Sequence, residues 1–166
     1  MKNIIDRRPE KVTVESTGNG PFQVRATVAG AQFFVDEPVS VGGLASGPTP
    51  YDLIATALAS CTAMTLQLYA RRKSWPLEHV AVNVEHRREY LNAKDDFRRE
   101  LLLSGPLSEE QREHLLTIAD RCPVHRTLAP GSDIQTTLVF AHQVQGPSVH
   151  QMHLIDMEES CADRGD

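Results

Sequence analysis

Residues 49–75 read TPYDLIATALASCTAMTLQLYARRKSW, and the rest of the chain is organised around them. Thr49 is a helix N-cap, Pro50 suits the first helical position with its preset φ, and Asp52 puts a carboxylate in the first turn. Leu53, Ile54, Ala57, Leu58, Cys61, Met64, Thr65 and Leu68 recur at three- and four-residue steps, the period of one helix face. Ala55, Thr56, Ala59, Ser60, Thr62 and Ala63 line the other side with small residues. A helix of that kind has neighbours close on all sides. Arg71, Arg72 and Lys73 load its last turn, and Trp75-Pro76 stops it. The pattern predicts one long central helix with Cys61 at its middle.

On the N-terminal side, Lys11–Ser16, Phe22–Val28 and Gln32–Val35 alternate in polarity, with Gly18–Pro21 and Gly30 as turns. DEPVSVGGLASGP (36–48) is loop chemistry leading into the helix. On the C-terminal side, Val80, Val82 and Val84 alternate in a strand from His79 that runs on through His86–Tyr90. Asn92 and Asp95-Asp96 mark a hairpin, and Phe97–Leu103 returns. Arg and Glu residues in both strands suit the solvated side of the pair. Ser108 with Gln111 forms a capping-box pattern for a second helix, with Leu115, Ile118, Ala119 and Cys122 on one face. Pro123 puts Cys122 at the C-terminus of that helix. Ile134–Phe140 reads as a last strand. From Ala141 on no period is sustained, which predicts a loosely docked tail. The order β-β-β-α-β-β-α-β specifies an α+β fold, with one domain over 1–140 and a tail over 141–166.

The 166 residues suffice for one domain with a real core. A net charge of −5 argues against nucleic acid or an anionic membrane as partner. Thr, Ser, Asp and Gln interrupt the central helix, and MKNIIDRRPEK lacks a signal-peptide core, so the expected location is cytoplasmic. Three cysteines cannot build a disulfide framework and stay reduced there unless one is redox-active.

Taken alone, Cys61 reads as a small core residue. Cys122 changes that: Arg121, His125 and Arg126 surround it, and it sits on the inward face of the other helix. Packing of the two helices would bring the two thiols together. Cys161, among Glu158, Glu159, Asp163 and Asp166, is expected to have a raised pKa and to be a bystander. Cys122-Pro-Val-His125 has a C-x-x-H look without a second half at zinc spacing, so no metal is expected. No phosphate loop, dinucleotide fingerprint or G-x-S-x-G is present, and no cofactor is expected.

GPTPYDLIATALASCTAMTLQLYA, followed about fifty residues later by IADRCPVHRTL, resembles the OsmC/Ohr superfamily of osmotically inducible and organic hydroperoxide resistance proteins. The likeness covers roughly residues 11–140 and is closest to the OsmC-like branch with DEP…GG…GPxPYDL before the helix. It implies an intertwined homodimer, with two long helices between curved antiparallel sheets and active sites at the subunit interface. It also implies a cysteine peroxidase for organic hydroperoxides, with Cys61 attacking, Cys122 resolving and a dithiol reductant resetting the pair. Tyr51, Asp52 and Met64 are expected to contact substrate. In the well-studied branches an acid at the position of Tyr51 and an arginine of the preceding loop activate the thiolate. Here that acid is a tyrosine, and Val39–Pro48 has no arginine. Arg25, Arg121, Arg126 or an arginine of the second subunit are the candidate substitutes. A dimeric binding module for an apolar ligand, and a redox switch, are the competing readings.

Overall fold

Ala29 and Gly30 adopt positive φ, 48° and 81°, in the two-residue turn whose twist matches the strands it joins. They join β2 (Val24–Val28) to β3 (Ala31–Val35), and β1 (Thr13–Ser16) pairs along the other edge of β2. The computed structural model describes residues 11–138 and 152–162. Its chain divides into two units: one runs to Asp52 and resumes over Asp133–Met152, and the other spans Leu53–Ser132 and resumes at His153.

The first unit holds the antiparallel sheet β1-β2-β3 and the loop after it. That loop is knotted around Asp36, which is only 2% exposed. One carboxylate oxygen accepts from the Glu37 amide at 2.9 Å. The other accepts from the Leu44 amide at 3.1 Å and from the Ser46 amide and hydroxyl at 3.3 and 2.8 Å. A Cβ at Gly47 would run into the Phe34 carbonyl, so the loop closes on the strand only with glycine there. Thr49 and Asp52 then cap α1 (Pro50–Arg72) reciprocally: Asp52 Oδ2 accepts from the Thr49 amide, and Thr49 Oγ1 from the Asp52 amide.

In the second unit α1 carries the core. By length and composition it could cross a membrane. Here it buries Leu58, Cys61, Leu66, Tyr69 and Ala70, which makes it the core helix of this unit. The hairpin of β4 (His79–Arg87) and β5 (Asp96–Ser104) sets Val80 opposite Leu103, Val82 opposite Leu101, Val84 opposite Arg99 and His86 opposite Phe97. Those residues face inward and their neighbours outward, the period-two rule of a half-buried pair. Leu66, Leu115 and Ile118 are fully buried between α1, the hairpin and α2 (Glu109–Ala119). Each such side chain stabilises by roughly 1.5–3 kcal/mol. Both halves of the Ser108–Gln111 capping box form.

Four expectations differ from the structure. The first strand of the hairpin ends at Arg87, short of the expected Tyr90. The second helix ends at Ala119, and Cys122 is the N-cap of a further helix, α3 (Pro123–Leu128). Pro123 has no amide hydrogen to give inside a helix but suits the first position of a new one. Residues 134–138 carry no regular structure, with Ile134 and Leu138 exposed; Val139 and Phe140 lie outside the described residues. Their alternation has the strand period, but among the described residues no strand edge pairs with it. In the expected tail, Met152–Ser160 form helix α4, while 141–151 and 163–166 lie outside the described residues. Met157, Ser160 and Cys161 are buried, and Arg72 donates to the Glu158 carbonyl at 3.1 Å.

Candidate active site

Cys61 and Cys122 are free thiols, 1% and 0% exposed, packed together with Leu58 in one cluster walled by Val84, Phe97, Val124 and Leu128. Two local features bring them there. Cys61 lies on the buried face of α1. Cys122 leaves the end of α2 in an extended conformation (φ −61°, ψ 139°), which turns its sulfur toward the start of α3. There the His125 amide donates to Cys122 Sγ at 3.3 Å, and the Val124 amide donates to Cys61 Sγ at 3.4 Å.

Thr62 is fully buried beside Cys61. Its hydroxyl lies 2.7 Å from the Leu58 carbonyl and 3.6 Å from Cys122 Sγ. Arg99 reaches it from β5, donating from Nη1 to Thr62 Oγ1 at 2.9 Å and to the Ala119 carbonyl at 3.1 Å. Nη2 meets Asp120 at 2.7 Å, and His125 Nδ1 lies 3.8 Å from the same carboxylate. One cation therefore ties the end of α2 to the site.

The two sulfurs sit in unequal electrostatic settings. A hydrogen bond from Cys61 is the largest influence on Cys122 and lowers its pKa. Burial opposes it, and the His125 amide, the Thr62 hydroxyl and the Arg99 charge add to the lowering, from 9.0 to about 5. For Cys61, the same hydrogen bond and burial push the thiol far up, against the Val124 amide. The two thiols are thus shifted in opposite directions, Cys122 down and Cys61 up. Cys161 is also raised, but burial causes it rather than the acidic neighbours expected from the sequence, and Arg72 and Arg121 counteract it.

A cavity of about 640 Å³ adjoins the cluster. Leu58, Phe97 and Leu128 supply apolar walls, and Arg99, Asp120 and His125 a polar rim. Met64, expected to contact substrate, is 48% exposed and is not among the lining residues. Asp52 is engaged in capping α1, with its pKa lowered by the Thr49 amide and hydroxyl. Tyr51 sits beside it in the first turn, 40% exposed. Among the described residues no group of three or more His, Cys, Asp or Glu could hold a metal.

The cation at the pair was not among the expected arginines. The charge of Arg99 places it with the solvated side of its strand, yet it alternates in phase with Phe97, Leu101 and Leu103, the inward face. That phase was the available signal.

The OsmC-like protein family matches residues 43–137, more than half of the chain and including both thiols. The chain belongs to the OsmC-like family. None of the curated proteins matches it. Among solved structures, an OsmC like protein from Mycoplasma pneumoniae superposes with a TM-score of 0.64 at 21% identity, over 74% of this chain and 89% of that one. A Psychrobacter arcticus protein named for osmotic stress induction and detoxification response gives 0.62 at 19%, over 74% and 90%. An organic hydroperoxide resistance protein OsmC from Legionella pneumophila gives 0.56 at 21%, over 72% and 88%. These likenesses establish the fold of this OsmC-like chain: α+β, with two antiparallel sheets and a long helix.

Proposed function

We propose that this OsmC-like chain is a thiol-dependent redox enzyme that reduces organic hydroperoxides by cycling Cys61 and Cys122 between dithiol and disulfide. The observation that carries the reading is the meeting of two free, buried thiols from separate elements beside a half-apolar cavity. One sulfur takes the terminal peroxide oxygen as a sulfenic acid and releases the alcohol; the other condenses with it, releasing water. A dithiol reductant then reopens the disulfide by exchange. The resemblance gives the first step to Cys61 and the second to Cys122. It also makes the chain a homodimer; Met64, Leu102 and Leu116, exposed on the single chain, supply apolar surface for a second copy. On this reading Tyr51, Asp52 and Met64 contact substrate in that assembly, and the protein works in the cytoplasm.

The test is consumption of cumene hydroperoxide with dithiothreitol as reductant, by wild type, Cys61→Ser and Cys122→Ser. Wild type turns over and both variants lose at least about a hundredfold. Equal, negligible rates in all three overturn the proposal. Light scattering at matched concentrations tests the dimer.

The near-complete burial of both sulfurs favours a second reading, a binding module for an apolar ligand with the thiols as lining. It requires that the pair stay reduced in air and label slowly at neutral pH.

A further inference from the structure

Once a sulfenic acid has formed on one sulfur, two reactions compete for it. The second thiol can close the disulfide, or a second hydroperoxide can carry the sulfur on to sulfinic acid, which a dithiol reductant does not recover. The outcome depends on how firmly the two cysteine-bearing segments are held together. Arg99 reaches between them from β5, with its side chain 13% exposed. Its Nη1 donates to the Thr62 hydroxyl of α1 at 2.9 Å, one residue past Cys61, and to the Ala119 carbonyl at the end of α2 at 3.1 Å. Its Nη2 donates to Asp120, two residues before Cys122, at 2.7 Å. Among the described residues, the two further hydrogen bonds between α1 and residues 119–128 end on sulfur. They are Thr62 with Cys122 Sγ at 3.6 Å and the Val124 amide with Cys61 Sγ at 3.4 Å. Those contacts change when a sulfur is oxidised, whereas the three made by Arg99 end on oxygen and do not depend on it.

We propose that Arg99 is the positioning residue for disulfide closure: it holds α1 at Thr62 and the end of α2 at the separation the bond needs while the sulfurs react. It thereby spares the oxidised sulfur a second hydroperoxide. The inference rests on the peroxidase reading and keeps the order of attack that the resemblance implies. A disulfide accepts a narrow range of separations, and a misplacement of about 1 Å can slow such a step about a hundredfold. A planar guanidinium can serve three acceptors on two elements at once, which the short amide of glutamine or a point-like ammonium cannot.

The bond changes balance without Arg99. The Cys61 thiolate takes the terminal oxygen of ROOH, and the alkoxide leaves, gaining a proton from water to become ROH. The Cys122 thiolate attacks the sulfur of the Cys61 sulfenic acid; the S–S bond forms, the S–O bond breaks, and hydroxide leaves. In the competing path a second ROOH gives its terminal oxygen to the same sulfur, which becomes sulfinic acid as a second ROH departs.

The experiment treats the full chain, without reductant, with increasing cumene hydroperoxide and reads the products by peptide mass mapping. Both products arise from one sulfenic acid, so their ratio is independent of how fast that acid forms. Wild type is expected to close the disulfide. In Arg99→Gln, the hydroperoxide concentration that converts half of Cys61 to sulfinic acid falls by at least about tenfold. Arg99→Lys, which keeps the charge without the fork, restores part of the shift. The same substitutions in a Cys122→Ser background measure the over-oxidation step alone. Should Arg99→Gln not fold, Asp120→Asn loosens the tie from its solvent side, where the carboxylate is 66% exposed, and moves the half-point the same way by less. An unchanged half-point in every folded variant overturns the proposal and leaves the peroxidase reading intact, as does a shift that the Cys122→Ser background reproduces in full. If wild type yields neither product, the peroxidase reading falls by itself, and the equilibrium of the pair with dithiothreitol decides the role of Arg99. There Arg99→Gln is expected to lower the constant for closure by at least about tenfold, and an equal constant overturns the proposal.

Discussion

Asp36 and Cys122 are both buried ionisable side chains, in different units of the molecule, and they are held in opposite ways. Asp36 accepts four hydrogen bonds of 2.8–3.3 Å, all from residues 37–46. Burial pushes its carboxyl up, but the Ser46, Glu37 and Leu44 donors outweigh it, so the group stays charged. Cys122 has longer contacts, 3.3 Å from the His125 amide and 3.6 Å from Thr62, and it shares a proton with a second sulfur beside a cavity. The carboxylate has its acceptor capacity engaged by its own loop and has become structure. The sulfur retains lone pairs and an exchangeable proton, and it has the means for chemistry.

The comparison breaks first at Asp36. Asp36→Ala strips the Leu44, Ser46 and Glu37 donors of their acceptor, and hydrogen exchange over residues 37–46 should quicken by roughly tenfold or more. Unchanged exchange would mean that the loop has another anchor. Because the Asp36 pKa is lowered from 3.8, its contribution is complete above 3.8 and is lost as pH falls below it. Acid unfolding of wild type should therefore contain a step below that pH which Asp36→Ala lacks.

The second prediction concerns pH and the sulfurs. With Cys122 lowered from 9.0 to about 5, its condensation with the oxidised sulfur needs no further deprotonation, so disulfide formation in single turnover should be flat through neutrality and slow tenfold per unit below about 5. Its stabilising contribution has the same sign as that of Asp36: complete above 9.0, shrinking as pH falls and gone below about 5. A rate that climbs toward 9 instead would identify an ordinary thiol. Third, Thr62→Val should slow peroxide consumption by about tenfold, the size of one hydrogen bond to a charged group, with the fold retained. Smallest and opposite in sign is Thr65→Val. Among the described residues Thr65 Oγ1 is buried without a nitrogen or oxygen partner, and its one influence is a weak lowering of the Cys61 thiol. Its replacement should leave stability unchanged or raise it by up to about 1 kcal/mol in urea unfolding.

Much of this was legible in the chain. Local signals with a fixed period or a fixed cap read correctly: the long helix, the Gly30 turn, the alternation of Val80, Val82 and Val84, and the Ser108–Gln111 box. The convergence of Cys61 and Cys122 followed from their inward faces. Long-range consequences did not read. Arg99 was counted with the charged face because its charge outweighed its phase, and no local rule says that an arginine will find Thr62 and the Ala119 carbonyl. Cys122 was placed at a helix end of the wrong polarity, because Pro123 stops one helix and starts another with equal ease. The α4 helix does not read because no period is sustained around it, and what anchors this stretch is Cys161, just after the helix, in the cluster of α1 and α2.

Two consecutive amides at the start of α3 attend to different sulfurs, Val124 to Cys61 and His125 to Cys122. Any covalent bond between the sulfurs must disturb both contacts together, within one short peptide segment. That pair of neighbouring NH signals is thus an intrinsic gauge of oxidation, readable by nitrogen-15 spectroscopy on the unlabelled thiols of a living preparation as it is oxidised and recovered.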